Sequence, residues 1–587
     1  MTQLSGIKEK RNGIFVLSLN LAVLLAALIL YCPYLEENDD AFLSMIAEGA
    51  FGKRESHLIY GNILYGKLLT SLYALAPSVR WHTMLQYLFI FLALCTLSFL
   101  LLRKRYGRWL AALAVLSSFY ELYVSVQYTK TGTAVGLIGL LAVAAGLERA
   151  SGRASCLAPG FLLIGYSFLL RDDAFYLAGL FAGLLILSLF IRNPSREKTM
   201  RYLAAFVPLA VLLLTGRYIN EKSYEQDPSW QTFMDYNAAR MALLDYRYDL
   251  LDWNAHAEEL EKQEISENDT ILYVTWQFSD DTVLTTEKIR EILAAGGRKP
   301  LISADILKSF ASHIYEDILL FHPLLFALIS VFALYGTALY CTGLRTEQGL
   351  SPSPEKRRTF MRGLALPCLY LALLFFVLYY YEYSGRWCHR VVYAAFLAAL
   401  ICLIYALPSE QLCDCEEEEH VAPVLFLPLC LVLTGCLTVL LGNRFAYNAY
   451  KREEPAYHQF LAEIAEDKNT LYVADTFTFQ RAYRYDVFRP FKEGSLSNFV
   501  TVGSWFSNSP VTDGVLNPFG YKNPFEALAA GDERVLLVDN LYSGEKLLYL
   551  QEHYGDKGHA DYFPEPVTEE NSYAKESGFD LYAVRRE

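Results

Sequence analysis

The sequence predicts an α-helical polytopic membrane protein with two soluble lobes, and three observations support this fold class. Hydrophobic residues make up 53% of the 587-residue chain, and the mean hydropathy is +0.21; both values are typical of membrane proteins. Apolar runs recur at the length of about 20 residues that a bilayer core about 30 Å thick requires. Lysine and arginine cluster in alternate loops between these runs.

The apolar runs predict about eleven transmembrane helices. No A-x-A pattern follows the first run, so we interpret it as a retained helix rather than a cleaved signal peptide. The runs lie at 14–34, 82–102, 109–126, 133–148, 157–170, 174–191, 202–217, 316–341, 363–381, 389–407 and 422–442.

The basic clusters predict the orientation of these helices, because positively charged loops resist translocation. They place the N-terminus in the cytoplasm and the C-terminal tail outside the cell membrane. The acidic segment CDCEEEEH (413–420) falls on the inner side as an exception, and acidic residues contribute little to this rule. The clusters are Lys8, Lys10 and Arg11; Arg103, Lys104, Arg105 and Arg108; Arg149 and Arg153; Arg192, Arg196, Lys198 and Arg201; and Lys356, Arg357, Arg358 and Arg362.

The alternation of apolar and polar segments predicts four units. Residues 1–217 form an N-terminal transmembrane module, with a first outer loop at 35–81. Residues 218–313 form an outer acidic lobe, and residues 314–443 carry the C-terminal transmembrane helices. Residues 444–587 form an outer C-terminal domain.

The acidic lobe holds 18 Asp and Glu against 9 Lys and Arg. This charge balance repels phosphate backbones and therefore argues against a nucleic-acid partner.

The acidic lobe contains a predicted helix, TFMDYNAARMALLDY (232–246), a predicted strand, TILYVTWQF (270–278), and a second predicted helix, TTEKIREILAAG (285–296),.

The C-terminal domain alternates strand-like and helical segments. The strands are TLYVADTF (470–477), RVLLVD (534–539) and FDLYAV (579–584), and the helix is GEKLLYLQEHYG (544–555). This pattern predicts a small α/β domain.

The eleven cysteines all lie in apolar runs or short loops, so neither outer lobe is built on disulfides,. Cys413 and Cys415 with His420 offer metal-binding side chains, but their spacing matches no common zinc pattern. We favour a solvated acidic loop for this segment.

Ionisable residues at the ends of membrane spans are the strongest indication of function, because burying them costs about 2.5–3.5 kcal/mol each on insertion scales. The predicted topology brings four clusters to the outer face, where they would surround one cavity. The clusters are Glu36, Glu37, Asp39 and Asp40; Lys130 in QYTKTGT (127–133); Arg171, Asp172 and Asp173 in LLRDDAF (169–175); and Glu382, Arg386, His389 and Arg390 in YYYEYSGRWCHRVVY (379–393).

Each cluster also has an ordinary structural interpretation. Asp39 or Asp40 is a suitable N-cap for the helical segment AFLSMIAEGAF. Asp172 and Asp173 would neutralise Arg171. Any of the clusters could also be a solvated loop or an interfacial anchor. In the functional interpretation, by contrast, a helix that starts near Ser384 would present the cations of the fourth cluster towards one anion.

The chain resembles the GT-C superfamily of membrane glycosyltransferases. The resemblance rests on the cytoplasmic N-terminus, the acidic pair in the first outer loop, the many short-looped spans and the outer C-terminal domain. It also resembles a group of multipass proteins of Gram-positive gut bacteria over nearly its full length. The matching segments are NILYGKLLTSLYALAPSVRWHTMLQY, QYTKTGTAVG, LLRDDAFYLA, NAARMALLDY, SENDTILYVTW, GRWCHRVVY, NTLYVADTFTF and VGSWFSNSPV.

The resemblance implies a GT-C-like fold and transfer of a sugar from a polyprenyl-phosphate donor to a cell-envelope glycan, glycolipid or polymer. Asp40 or Asp39 would be the catalytic base, and Asp39 or Glu36 would hold Mg²⁺ or Mn²⁺. The donor phosphate would be bound by Lys130, Arg171, Arg386, His389 and Arg390.

The sequence departs from known members of the superfamily. It has no WWDYG-like motif, so transfer of an oligosaccharide to asparagine is not expected. It shows no close match to the protein O-mannosyltransferases or to the lipid A aminoarabinose transferases. Two alternative functions remain open: a transporter or flippase for a lipid-linked or anionic solute, and a non-catalytic surface receptor or scaffold.

Overall fold

The structure is a computed structural model that describes residues 2–149, 154–192, 194–297, 299–318, 323–343, 354–408, 421–539, 541–555, 562–567 and 579–586. Helices dominate these residues. They are α1 (Thr2–Leu30), α2 (Asp39–Glu48), α3 (Ile63–Leu75), α4 (Trp81–Leu101), α5 (Gly107–Phe119), α6 (Tyr128–Leu147), α7 (Ala154–Leu170), α8 (Asp172–Arg192), α9 (Arg196–Glu225), α10 (Pro228–Arg240), α11 (Trp253–Lys262), α12 (Glu267–Val274), α13 (Thr286–Ala295), α14 (Ala304–His313), α15 (Pro323–Gly343), α16 (Pro354–Tyr383), α17 (His389–Ala406), α18 (Val421–Glu466), α19 (Thr476–Gln480), α20 (Pro510–Leu516), α21 (Pro524–Ala529) and α22 (Ser543–Tyr554).

Eight of these helices are long and apolar enough to cross a bilayer, which confirms a helical polytopic membrane protein,. They lie in α1, α4, α6, α8, α9, α16, α17 and α18. The predicted runs at 109–126 and 157–170, and the described part of the run at 316–341, also form helices, but these are shorter or continue into a π-helical turn. The side of the membrane on which each loop lies stays a prediction. The CDCEEEEH segment with Cys413, Cys415 and His420 lies outside the described residues.

Helix α6 forms the centre of the bundle, and nearly every residue along it is buried. It packs closely against α7 because glycines face each other at the crossing. A methyl group added to Gly139 would lie 2.9 Å from the carbonyl oxygen of Gly160, and one added to Gly160 would lie 3.0 Å from that of Gly139. Small residues that permit such close approach are characteristic of helix contacts in membranes.

The first outer loop is held against the start of α6 by a short parallel strand pair. Strand β1 (Tyr34–Leu35) pairs with β2 (Ser125–Val126), and α2 follows directly after β1. The predicted helix is therefore present, but Asn38 occupies the N-cap position instead of Asp39 or Asp40. Helix α2 ends at Glu48, and the φ of 81° at its C-cap, Gly49, is the left-handed conformation that glycine favours,.

The acidic lobe is helical among its described residues, so the strand prediction for TILYVTWQF is wrong. Most of that segment belongs to α12. The helix begins with a capping box in which Ser266 and Asp269 each accept a hydrogen bond from the other residue's backbone N–H. This local signal outweighs the β-propensity of the segment. The two predicted helices are confirmed as α10, with the π-helical turn Met241–Asp245, and as α13.

The C-terminal domain contains the predicted strands and helix. Its five-stranded mixed sheet has the order β4–β3–β5–β7–β6, in which β3 pairs parallel to β4 and β5, and β7 pairs antiparallel to β5 and β6. The strands are β3 (Leu471–Ala474), β4 (Phe499–Thr501), β5 (Val535–Asp539), β6 (Tyr562–Pro566) and β7 (Asp580–Arg586).

Helix α18 links the membrane bundle to this domain without a break. Its 46 residues span about 69 Å at 1.5 Å per residue, roughly twice the thickness of a bilayer core. The boundary predicted at 443/444 falls inside α18, and the boundary predicted at 217/218 falls inside α9. The division of the chain into four units stays a prediction.

The C-terminal domain docks on both the first outer loop and the acidic lobe. The backbone N–H of Gly494 donates to Gly49 O at 2.8 Å, which fixes the domain to the end of α2. A methyl group added to Gly503 would lie 1.8 Å from Trp276 O, so only glycine permits this approach to the acidic lobe.

A pair of carboxyl groups makes stability depend on pH where these two lobes meet. Partial burial raises the pKa of Asp513 above its ordinary value, and the negative charge of Asp281 raises it further. The folded state therefore binds this proton more tightly than the unfolded chain does. The associated stabilisation is complete at low pH and is lost as the pH rises through the folded-state pKa.

We expect Asp513→Asn to raise the melting temperature at about pH 7.5, with a gain below about 1 kcal/mol because the side chain is partly exposed. The gain should shrink towards pH 4, roughly the ordinary carboxyl pKa. Thermal unfolding of the detergent-solubilised protein measures it. Asp305→Asn is the control, because Asp305 occupies the first turn of α14 but is exposed. A uniform loss of stability at both pH values would contradict the prediction.

Candidate functional site

A cavity of about 370 Å³ lies where several helices of the bundle end and the two lobes begin. It is lined by Asp39 from α2, Arg171 between α7 and α8, and Arg386 and Arg390 around the start of α17. A second cavity of about 210 Å³ adjoins it. Both are lined by Asp39, Trp276, Arg386, Arg390 and Trp505. The structure thus brings four of the predicted site residues together.

Asp39 is the carboxylate shared by the two cavities. Its residue is 7% exposed, and its Oδ2 lies 3.6 Å from Arg390 Nε. Its position in the first turn of α2 also brings it close to the positive end of that helix dipole,. Among the described residues, Asp39 accepts no side-chain hydrogen bond, so its oxygens remain available to a ligand.

Arg390 has unused hydrogen-bonding capacity. Its Nη1 lies 3.3 Å from Glu37 Oε1, but its buried Nε has no hydrogen-bond partner in the described part of the chain. Burial raises the pKa of Glu37, while the positive charge of Arg390 opposes that rise. A buried donor without a hydrogen bond lowers the stability of the fold by about 1–3 kcal/mol. An anion bound in the cavity would accept a hydrogen bond from this Nε and remove that cost.

Arg171 is held between aromatic rings rather than by a carboxylate. Its guanidinium lies 4.8 Å from the ring centroid of Tyr128 and 5.6 Å from that of Tyr60, and its Nη1 donates to the Tyr128 hydroxyl. Its buried Nε has no hydrogen-bond partner among the described residues. The prediction that Asp172 and Asp173 would simply neutralise this cation does not match the contacts, since neither forms an ion pair with it in the described structure.

Arg386 belongs to a network that the sequence did not reveal. Its Nη1 lies 3.3 Å from Asp245 Oδ2, while Asp245 Oδ1 lies 3.4 Å from Nη1 of the buried Arg240. Arg240 in turn donates to the Tyr60 hydroxyl at 3.1 Å and to Asn237 Oδ1 at 2.8 Å. Arg386 lies in the turn between α16 and α17, so the helix expected from Ser384 begins only at His389.

Asp40 has a different environment from its neighbour, because it lines neither cavity and is 1% exposed. Its Oδ1 accepts from Gln86 Nε2 at 2.7 Å and lies 3.1 Å from His82 Nε2. Its Oδ2 accepts from the Tyr128 backbone N–H at 3.2 Å. Asp40 therefore attaches the first outer loop to α4 and to the start of α6.

Lys130 and Glu36 also lie outside the two cavities. Lys130 is fully buried and donates to Glu36, to Glu121 Oε2 at 2.7 Å and to Ser125 Oγ at 3.0 Å. All three of its protons have partners, so it has none to offer a donor phosphate. The structure places it in a buried ion cluster that fixes the first outer loop.

His389 does not join the cavity either. Its imidazole is half-exposed, lies 3.3 Å from Asp317 Oδ1 and stacks on Tyr393. Consecutive residues on a helix point about 100° apart, which separates His389 from Arg390.

The predicted Mg²⁺ or Mn²⁺ site does not fit the residues that the structure brings together. Glu36 is directed to Lys130 rather than to the cavity that Asp39 lines, and the two carboxylates do not converge. Metal dependence stays a prediction, and no step below depends on a metal.

Most of the residues that line the cavity were not predicted from the sequence. Asp245, Trp276 and Trp505 fall in the segments NAARMALLDY, SENDTILYVTW and VGSWFSNSPV, which carried part of the family resemblance but had no assigned role. Arg217 of α9 also lines the cavity, and its Nε lies 2.8 Å from Glu221 Oε1. No local pattern distinguishes these residues, because they meet only in the tertiary structure.

No protein-family model matches the chain, and no curated protein matches it. Among solved structures, the chain is similar to the crystal structure of ArnT from Cupriavidus metallidurans bound to undecaprenyl phosphate. The alignment covers 92% of this chain and 94% of that chain, at 12% sequence identity and a TM-score of 0.31. A similarity at this level supports no inference about chemistry or ligands.

We expect Lys130→Met to destabilise the protein by about 3–5 kcal/mol, because two buried carboxylates would lose their cation. The loss would appear as a lower melting temperature and a lower yield of folded protein in detergent. Adding Glu36→Gln and Glu121→Gln to this variant should recover part of the loss. Lys67→Met, at an exposed position on α3, is the control. A Lys130→Met variant as stable as this control would contradict the structural role.

Proposed function

We propose that this protein is a membrane glycosyltransferase that moves a sugar from a polyprenyl-phosphate donor to a hydroxyl group of a cell-envelope acceptor. The observation that carries the proposal is the composition of one cavity. A carboxylate, Asp39, lies there together with two arginines, Arg171 and Arg390, whose buried Nε atoms donate no hydrogen bond among the described residues. The family resemblance of the sequence supports the same chemistry.

The proposed reaction needs one base and one anion site. Asp39 takes the proton from the acceptor hydroxyl while the oxygen of that hydroxyl forms a bond to C1 of the sugar. The bond between C1 and the phosphate oxygen breaks, and the polyprenyl phosphate leaves with the bonding electron pair. Arg171, Arg386 and Arg390 stabilise the charge that develops on the leaving phosphate. A positioned base contributes about 10²–10⁴-fold to the rate, and fixed donors add electrostatic stabilisation.

Asp39 is a better base than Asp40 on the geometry. A base must reach the proton that it abstracts, and Asp39 lines both cavities while Asp40 lines neither. The hydrogen bonds of Asp40 to α4 and α6 instead hold α2 in position, so that Asp40 positions its neighbour.

The location of the cavity favours a transferase over a transporter. Three of its charged residues lie at or between helix ends: Asp39 begins α2, Arg171 lies between α7 and α8, and Arg390 lies at the start of α17. A translocation path would require such residues near the middle of the bundle. The two lobes cover the cavity through Trp276 and Trp505, where an acceptor glycan would enter.

Asp39→Asn should abolish sugar transfer, with a loss of at least about 100-fold, while the protein remains folded. Asp40→Asn should instead lower the melting temperature, because it weakens charge-assisted hydrogen bonds worth about 1.5–3 kcal/mol each. The assay uses purified protein, polyprenyl-phosphate sugars and cell-wall extracts as acceptors. Full transfer by a folded Asp39→Asn variant would remove Asp39 from the mechanism.

Arg390→Gln should weaken binding of a polyprenyl phosphate by about 10- to 100-fold, in keeping with about 1.5–3 kcal/mol for a charge-assisted hydrogen bond. The adjacent variant His389→Gln is the matched control and should leave binding within about twofold, because its side chain points away from the cavity. Titration of the nanodisc-embedded protein with polyprenyl phosphate measures both. Equal effects of the two substitutions would show that the phosphate binds elsewhere.

A further inference from the structure

A second group of ionisable side chains lies on α18, beyond its apolar part. Glu454 and His458 are four residues apart, so both lie on one face of the helix,. Asp486 reaches them from the segment that follows α19. The potential ligand atoms of these three residues all lie within 4.8 Å of one another, and His458 Nε2 is 2.9 Å from Asp486 Oδ2.

The charges of this group are not balanced. Two carboxylates face one imidazole, and within the described residues neither Glu454 nor Asp486 forms an ion pair with a lysine or arginine. A protonated His458 would neutralise one of the two negative charges. A divalent cation would neutralise both.

An unpaired hydroxyl group points to a missing ligand. Tyr450 lies one turn before Glu454 on the same helix face and is 9% exposed,. Its buried hydroxyl has no hydrogen-bond partner among the described residues, and the negative charges of Asp486 and Glu454 act on it. Buried hydroxyl groups nearly always have a partner, and a water molecule bound to a metal ion would provide one.

The group opens onto a groove of about 480 Å³ that is separate from the cavities at Asp39. His458 and Asp486 line the groove, together with the cationic side chains Lys468, Arg489 and Lys492. A metal ion held by three protein ligands would therefore keep an open coordination position towards this groove.

We propose that Glu454, His458 and Asp486 bind a divalent transition-metal ion, with Zn²⁺ or Mn²⁺ as the expected occupant. One imidazole and two carboxylates suit these ions, whereas Mg²⁺ and Ca²⁺ prefer oxygen ligands alone. Tetrahedral ligands about 2.1 Å from Zn²⁺ lie roughly 3.4 Å apart, so modest side-chain rotations close the site. The metal replaces the direct contact between His458 Nε2 and Asp486 Oδ2.

The site would connect α18 to a segment that touches the first outer loop. Arg80 Nη1 donates to Asp486 O at 2.5 Å, and the backbone N–H of Phe491 donates to Glu48 Oε2 at 2.7 Å. Helix α2, which begins at Asp39, ends at Glu48. Metal binding would therefore stiffen the attachment of the C-terminal domain beside the candidate active site, independently of which reaction that site performs.

The test is calorimetric titration of the full-length, EDTA-treated protein in nanodiscs with ZnCl₂, MnCl₂ and MgCl₂. We expect one Zn²⁺ per chain with a Kd of about 1 μM or below, and Mg²⁺ weaker by at least about tenfold. His458→Ala and Glu454→Gln should each weaken Zn²⁺ binding by at least about tenfold. Hydrogen exchange of the segment around Asp486 should slow when Zn²⁺ is added.

The matched control is His553→Ala, which alters the other group of similar composition, Asp269, Glu552 and His553. There, Asp269 already accepts the Ser266 backbone N–H at 2.9 Å and contacts His553 at 2.9 Å, so the control should keep full Zn²⁺ binding. Melting temperatures in EDTA establish that each variant is folded. Two results would overturn the proposal: no Zn²⁺ binding at about 100 μM, or unchanged binding by a folded Glu454→Gln/His458→Ala double variant.

Discussion

The attachment of the first outer loop to the buried start of α6 is the constraint on which the candidate site depends. Glu36 is held by the fully buried Lys130, and Asp40 accepts the backbone N–H of Tyr128. These two anchors flank Asp39 on both sides. Because Glu36 and Asp40 form these contacts with α6, the Asp39 carboxylate remains free to face the cavity, close to Arg390. Both contacts are buried, so solvent screens the attraction between Glu36 and Lys130 only weakly.

The cavity is a balanced electrostatic environment rather than a strongly positive one. Four arginines and five acidic residues line it, and most of these arginines are paired with carboxylates. Arg171 is the exception among the described residues, because aromatic rings and a phenol hydroxyl surround it. Under the proposed function, this wall would hold one anionic group at a defined place and would attract other anions only weakly. Two buried groups that donate no hydrogen bond in the described structure, the Nε of Arg390 and the Nε1 of Trp505, add further donors at that place.

The two lobes complete the cavity because they are joined tightly to each other and to the membrane bundle. Gly503 permits the C-terminal domain to approach Trp276 of the acidic lobe, and the buried Asp280 accepts a hydrogen bond from the Tyr554 hydroxyl at 2.6 Å. Helix α18 carries the domain on a continuous rod from the bilayer. The cover over the candidate site is therefore held by direct contacts on two sides, and its connection to the first outer loop lies beside the proposed metal site.

Hydrophobic length and periodicity are local properties, so the amino-acid sequence alone predicts the helical membrane fold, the positions of its apolar runs and the α/β pattern of the C-terminal domain. It also indicated the charged clusters from which Asp39, Arg171, Arg386 and Arg390 come. The different surroundings of adjacent residues, such as Asp39 and Asp40, depend on contacts between distant segments. One residue along a helix turns the side chain by about 100°, and the partner that captures it comes from a distant part of the chain. The wall formed by Asp245, Trp276 and Trp505 has no local signal, since it exists only where separate segments of the chain meet.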